Sequence, residues 1–156
     1  MSKAEKDVVR LGVNELPQKV FEILNKEVAT VVIATVDEDG SPRTAPFSWI
    51  VAKDKRTLRV GMGVRNFTFA NVKRNGKVMI CLLEEGNIAI SIKGKARVTK
   101  EKLDSATGVA MVEINIEEIK NDASAVSPVK SGVRIDINDK YLRIVKEVFN
   151  ELKETP

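Results

Sequence analysis

Turns of four residues separate the apolar runs in the middle of this chain, and no other feature limits its fold as tightly. "VATVVIATV" (28–36) is followed by "DEDG", "RTAPFSWIVA" (43–52) by "KDKR", and "VMICLL" (78–83) by "EEGN". Connections that short cannot carry a crossover, so the runs they join must pair antiparallel. Gly40 closes the first turn at a position that tolerates positive φ. "TLRVGM" (57–62) returns after "KDKR". Further along, Ile88, Ile90, Ile92, Gly94, Ala96 and Val98 share one face, with Ala89, Ser91, Lys93, Lys95 and Arg97 on the other. The next run places Val112, Ile114 and Ile116 inward and Glu113, Asn115 and Glu117 outward. "VRIDI" (133–137) reads as a last short strand, after a loop over 121–132.

Three stretches switch to helical spacing. Leu16, Val20, Phe21, Ile23 and Leu24 share a face in a helix that starts at Asn14 or Leu16 and ends near Lys26, with Pro17 in its first turn. Residues 66–75 form a short helix that Asn66 caps. In the final helix Leu142, Val145, Phe149 and Leu152 form a seam, and Asp139 is placed to cap it. Residues 1–13 are a polar arm, and 14–156 read as one domain. Six or seven mostly antiparallel strands with these N-terminal, mid-chain and C-terminal helices hide their edges best as a mainly β barrel. The apolar surface left over on the last helix and the strand faces calls for a second copy of the chain.

Composition removes whole classes of chemistry. There is no histidine, which excludes Ser-His and Cys-His nucleophiles and His-ligated metals. The single Cys81 lies inside "VMICLL" and reads as a small core residue; with one cysteine, a reducing cytoplasm is expected. No apolar run reaches membrane-spanning length, and "MSKAEKDVVR" has no signal-type apolar region. The net charge is +4, which permits nucleic-acid contact without requiring it. The Lys93, Lys95 and Arg97 row has no aromatic interleaved with it, so nucleic acid is not the expected partner. Glu113, Glu117 and Glu118 read as a solvated face.

"GMGVRNFTFANVKRNGKV" (61–78) is the richest stretch. Gly61 and Gly63 permit a tight turn or a close approach to a ligand. After Asn66 the helix offers unpaired N–H groups, the Thr68 hydroxyl follows, and Arg65 stands beside them. Those parts suit a phosphate-sized anion, or simply a capped turn with a solvated arginine. A dinucleotide fingerprint fits poorly, because Asn66 stands where the third glycine belongs and the strands before it are joined by hairpins. In "RTAPFSW", Pro46 belongs at an edge, a bulge or a ligand, beside Arg43, Thr44 and Ala45.

The order of these pieces resembles the pyridoxamine 5′-phosphate oxidase-like FMN-binding split-barrel superfamily, nearest its small FMN-binding-protein branch. The resemblance rests on D-x-D-G-x-P-R-T-A-P, on T-x-x-N-V-x-x-N from Thr68 to Asn75, and on I-x-G-x-A-x-V from Ile92 to Val98, and covers roughly residues 16–120. It implies a homodimer of six- to seven-stranded split barrels with FMN at the interface. By position, Thr44, Ala45 and Pro46 would line the isoalloxazine. Val60, Gly61, Met62 and Gly63 would pass close to the ring and ribityl chain. Arg65, Asn66 and Thr68 would receive the phosphate. Relatives carry a lysine or arginine at or next to Thr68, so the positive charge here would rest on Arg65 or Arg43. "ELKETP" lacks the Arg-Leu-x-Pro ending of true pyridoxamine phosphate oxidases, so vitamin B6 synthesis is not expected. The implied role is a cytoplasmic FMN-dependent oxidoreductase or electron carrier, served by NADH, NADPH or a reductase partner, with no catalytic acid or base. The alternative is a non-redox dimer that binds a phosphorylated small molecule or a partner protein.

Overall fold

We describe residues 14–26 and 28–156 of a computed structural model; the arm expected over 1–13 lies outside them. The elements run α1 (Gln18–Lys26), β1 (Val31–Val36), β2 (Pro42–Phe47), β3 (Ile50–Asp54), β4 (Thr57–Gly63), α2 (Phe67–Asn75), β5 (Lys77–Glu84), β6 (Ile88–Lys100), β7 (Val109–Asn121) and α3 (Leu142–Glu154), with a 3₁₀ turn at Asp139–Tyr141 before α3. All seven strands pair antiparallel in the order β2-β1-β5-β6-β7-β4-β3.

That order dictates the shape. β2 and β3 are the two edges of the sheet, yet only Ser48 and Trp49 separate them in sequence. Three residue steps span at most about 11 Å. The sheet must therefore curl until its edges nearly meet, which gives a barrel split between β2 and β3. The run 43–52, expected as one strand, is thus two strands around a corner. Periodicity missed it because the apolar pattern continues through the corner. The Ser48 and Thr30 hydroxyls, 2.8 Å apart, share a hydrogen bond there.

Inside the barrel lie Val31, Ile33, Ile50, Leu58, Val60, Met62, Ile80, Leu82, Ile92, Val112 and Ile114, with Leu16, Val20 and Leu24 of α1. α2 enters the same core through Phe69 and Val72. It stops at Gly76, whose φ is 69° and where a Cβ would fall 2.6 Å from the Ala96 carbonyl oxygen.

A second cluster lies outside the barrel wall. Val148 and Leu152 of α3, with Ile144 and Phe149, cover Val51, Val109 and Met111 beside Leu103 and Ala106. The expected seam is kept in part: Phe149 and Leu152 pack here, while Leu142 and Val145 border a cleft against Leu24, Asn25 and Val28. Asp139 does not cap α3: the cap position is Tyr141, with no side-chain bond. "VRIDI" forms no strand. Its flank is fixed instead by Gly132 N and Arg134, both donating to Glu84.

Two further expectations reverse for one reason: α3 covers only half of the outer sheet face. Under α3, Glu113 is 7% exposed and Arg59 only 2%. Arg59 Nε donates to Glu113 at 3.2 Å, and its terminal nitrogens donate to the main-chain oxygens of Leu152, Thr155 and Pro156. Away from α3, Cys81 is exposed rather than core. It stands among Val32, Met79 and Leu83, which are 37%, 42% and 44% exposed. Partial desolvation and the nearby Asp122 carboxylate push its thiol pKa up, so it is a poor thiolate at neutral pH.

Glu151 fastens α3 to the loop before β7. It accepts from Lys100 Nζ at 2.8 Å, Asp104 N at 2.9 Å and Ser105 N at 2.8 Å. Burial alone would raise its pKa; these bonds outweigh burial and lower it from 4.5 to about 2. A carboxyl lowered on folding stabilises the fold above its unfolded value, and that contribution drains away as pH falls from 4.5 toward 2. Thermal melting followed by circular dichroism should show a steeper loss of Tm over that range in the natural chain than in Glu151→Gln.

Candidate functional site

The site grows from the junction of β4 and α2. β4 ends at Gly63, and Asn66 N donates to its carbonyl at 3.3 Å, turning the chain into the helix. Asn66 is extended, with φ −85° and ψ 157°, and its side-chain oxygen accepts from Phe69 N at 2.8 Å. The N–H groups of Phe67 and Thr68 have no intrahelical acceptor and carry the positive end of the helix dipole. Arg65 is exposed and has no ion pair among the described residues.

Arg43 of β2 comes to the same place. Its guanidinium carbon lies 4.5 Å from the centre of the Phe67 ring, a ring that is itself 67% exposed. Its Nε donates to both oxygens of Asp37, at 2.9 and 3.0 Å. Asn71, one turn along α2, donates to Asp37 at 2.8 Å and to the Thr35 hydroxyl at 2.9 Å, and accepts from Arg74 at 2.8 Å. Arg43 first and Asn71 second hold the Asp37 carboxyl below its usual range. Arg43 is therefore positioned by Asp37 and largely neutralised by it.

The remaining named residues spread around this junction. Thr44 and Pro46 are exposed on the outer face of β2, while Ala45 is half-buried on the Arg43 face. Pro46 lies on an edge strand, where its missing N–H breaks no ladder. Val60 and Met62 are wholly buried in the core, and Thr68 is 1% exposed. Gly61 has a packing reason: a Cβ there would come within 3.3 Å of Trp49. Gly63 has none as tight, since the nearest atom to such a Cβ is the Asn66 amide nitrogen at 3.6 Å.

Sequence reasoning passed over Asp37, Asn71 and Phe67. The signal was present for Asn71, inside the Thr68–Asn75 run, but its partner Asp37 sits 34 residues earlier in the chain. Chemically, the junction offers an oxyanion two backbone donors and Arg65, beside an exposed aromatic ring. Among the described residues, no group of three or more Cys, Asp or Glu is placed to hold a metal ion.

A family model described as pyridoxamine 5′-phosphate oxidase matches residues 16–142. Solved structures share the fold. A candidate pyridoxamine 5′-phosphate oxidase from Lactobacillus delbrueckii is 25% identical, with TM-score 0.60, covering 70% of this chain and 97% of its own. An FMN-binding protein from Syntrophomonas wolfei is 16% identical, with TM-score 0.56 and coverage of 69% and 86%. An F420 reductase is 14% identical, with TM-score 0.56 and coverage of 67% and 98%. No curated protein matches the chain.

Proposed function

The chain belongs to the pyridoxamine 5′-phosphate oxidase family, and from that membership we propose that it binds FMN at the β4–α2 junction and acts as a flavin oxidoreductase or electron carrier. The observation that carries this reading is the Arg43 guanidinium over Phe67 at the first turn of α2, whose leading N–H groups have no intrahelical acceptor, with the exposed Arg65 next before the Asn66 cap in the chain. That donor set suits a phosphate: backbone amides meet its oxygens and Arg65 supplies charge. The Syntrophomonas wolfei protein of the same fold is named for FMN binding.

Bound flavin would supply the electron or hydride transfer itself. The protein's part is to hold and orient. Asp37 and Asn71 fix Arg43 over Phe67 and so fix one wall of the site. Arg65 and the α2 amides hold the tail. No side chain is assigned as catalytic acid or base. The electron source would be NADH, NADPH or a reductase partner.

The proposal includes a homodimer, which the half-covered sheet supports. Val32, Met79, Cys81 and Leu83 form an apolar strip on the outer face, on the half that α3 leaves open, and a second copy would cover it. Replacing Val32 by Asp should then give a monomer by sedimentation velocity while the circular dichroism spectrum is kept; an unchanged dimer would remove this face from the interface. A cytoplasmic location is part of the same proposal. No helix among the described residues is long and apolar enough to cross a membrane.

Mass spectrometry of small molecules released from denatured protein tests the cofactor. FMN released from freshly purified protein, and its reduction by NADH or NADPH without oxygen, would support the reading. A released ligand with no flavin or deazaflavin ring would end it.

A further inference from the structure

A cleft of about 420 Å³ runs between α1 and α3, and none of its lining residues belongs to the β4–α2 junction or to the apolar strip assigned to the dimer. Leu24, Val28, Leu142, Val145 and Phe149 give it an apolar floor, and Lys26, Lys146 and Lys153 line its polar part. Val28 and Leu142 are 37% and 50% exposed, so part of that floor meets water. The volume falls within the size range of small-molecule sites. Leu142 and Lys153 both line the cleft from α3, eleven residue steps apart, which is about 16 Å at the helical rise. The cleft is therefore long for its volume, and it suits a linear chain better than a fused ring.

α3 sorts its charges by side. Lys146 and Lys153 line the cleft, whereas Glu147, Glu151 and Glu154 line a separate hollow with Lys100 and Asp104. Glu147 is further occupied by Arg143, which donates to it at 3.0 Å. Among the described residues no Asp or Glu lines the cleft. Lys26 is offset in part by Glu22, 3.9 Å away. Neither Lys146 nor Lys153 has a carboxylate within ion-pair distance among the described residues. Even if Glu27, next to Val28 in the chain, is counted against them, three lysines face two carboxylates. Lys153 Nζ donates to the Asn25 carbonyl at 2.8 Å, a bond that leaves its charge in place. Asn25 is itself fixed, because its side chain exchanges two hydrogen bonds with the main chain of Ala52, at 3.0 and 3.1 Å. One ammonium is thus held beside the apolar floor with two N–H donors left over.

We propose that this cleft binds a linear alkyl carboxylate, of the medium-chain fatty acid type. The carboxylate would sit on Lys153, with Lys146 adding to the positive field. The chain would run from there along Phe149 and Val145 toward Leu142. The apolar floor selects against small hydrophilic anions, and the lysines select against cationic amphiphiles. The site uses none of the residues assigned to FMN, so it stands apart from the flavin reading.

The test is calorimetric titration of the full chain with decanoate, with acetate as a charge-only probe and decyltrimethylammonium as a chain of opposite charge. Decanoate should bind and should weaken as salt rises. Octanoate, two CH₂ groups shorter, should bind about ten-fold more weakly. Neither acetate nor decyltrimethylammonium should bind. Lys146→Gln/Lys153→Gln should lower decanoate affinity about ten-fold or more. Because Lys153 also holds Asn25, a floor variant, Val145→Asp, checks the same cleft from its apolar side. It should remove decanoate binding while the circular dichroism spectrum and FMN affinity are kept. The proposal is overturned if decanoate fails to bind, if decyltrimethylammonium binds as well as decanoate, or if either variant binds decanoate as before. It is also overturned if Val145→Asp turns a dimer into a monomer, which would place a second copy on the cleft.

Discussion

Replacing Arg59 by Ala should destabilise the protein by about 3–5 kcal/mol, the largest loss expected from any single polar side chain in this fold. Arg59 is 2% exposed and serves two masters at once. Its Nε is paired with the buried Glu113, and its Nη groups bond the main-chain oxygens of Leu152, Thr155 and Pro156. Alanine takes from the buried Glu113 carboxylate its one buried partner and frees the last turn of α3 from the sheet. Lys53 and Arg97 reach Glu113 at 3.9 and 3.3 Å but from more exposed positions, so they offset only part of that cost. The double change Arg59→Met/Glu113→Leu should be milder than Arg59→Ala alone, because no buried charge is left without a partner. Urea denaturation of the three proteins decides the matter. An Arg59→Ala chain as stable as the natural one would mean that α3 is not latched in this way.

Arg65→Ala is the second large effect, and it should appear in binding rather than in folding. Arg65 is exposed and makes no ion pair among the described residues, so its loss should leave the melting temperature nearly unchanged. FMN affinity should fall about ten-fold or more, the scale of one charge-assisted contact to phosphate. Riboflavin affinity should not change, because riboflavin has no phosphate. Arg43→Ala should behave differently. It strips Asp37 of its first partner and Phe67 of its cation, so both flavins should weaken. A flavin titration by fluorescence quenching separates the two patterns. Equal losses for FMN and riboflavin in Arg65→Ala would remove Arg65 from the phosphate.

The sequence carried the local geometry well and the layering poorly, and the residues show why. The four-residue turns fixed antiparallel pairing, and the Ile88–Val98 alternation predicted which side chains of β6 face the core. Arg59 and Glu113 alternate outward on their strands by the same rule, and they do point outward. They are buried because α3, more than 80 residues beyond Arg59 in the chain, docks over them. Cys81 fails in the opposite direction. An unbroken apolar run such as "VMICLL" reads as buried on both faces, but one face here is exposed. The corner at Ser48–Trp49 was invisible because it changes direction without changing hydrophobicity. At the site, Asn66 was legible from its cap chemistry, and Arg65 from its neighbours. The Asp37–Asn71 brace was not, since its two halves lie 34 residues apart in the chain and meet only once α2 packs on the sheet.

The claim on which the account turns is that the β4–α2 junction grips the phosphate of a flavin. Equilibrium titration of the cofactor-free protein with FMN and with riboflavin tests it directly. Saturable FMN binding, stronger than riboflavin binding and weakened by competing inorganic phosphate, is the predicted result. FMN and riboflavin binding with equal strength, or neither binding at all, would contradict it.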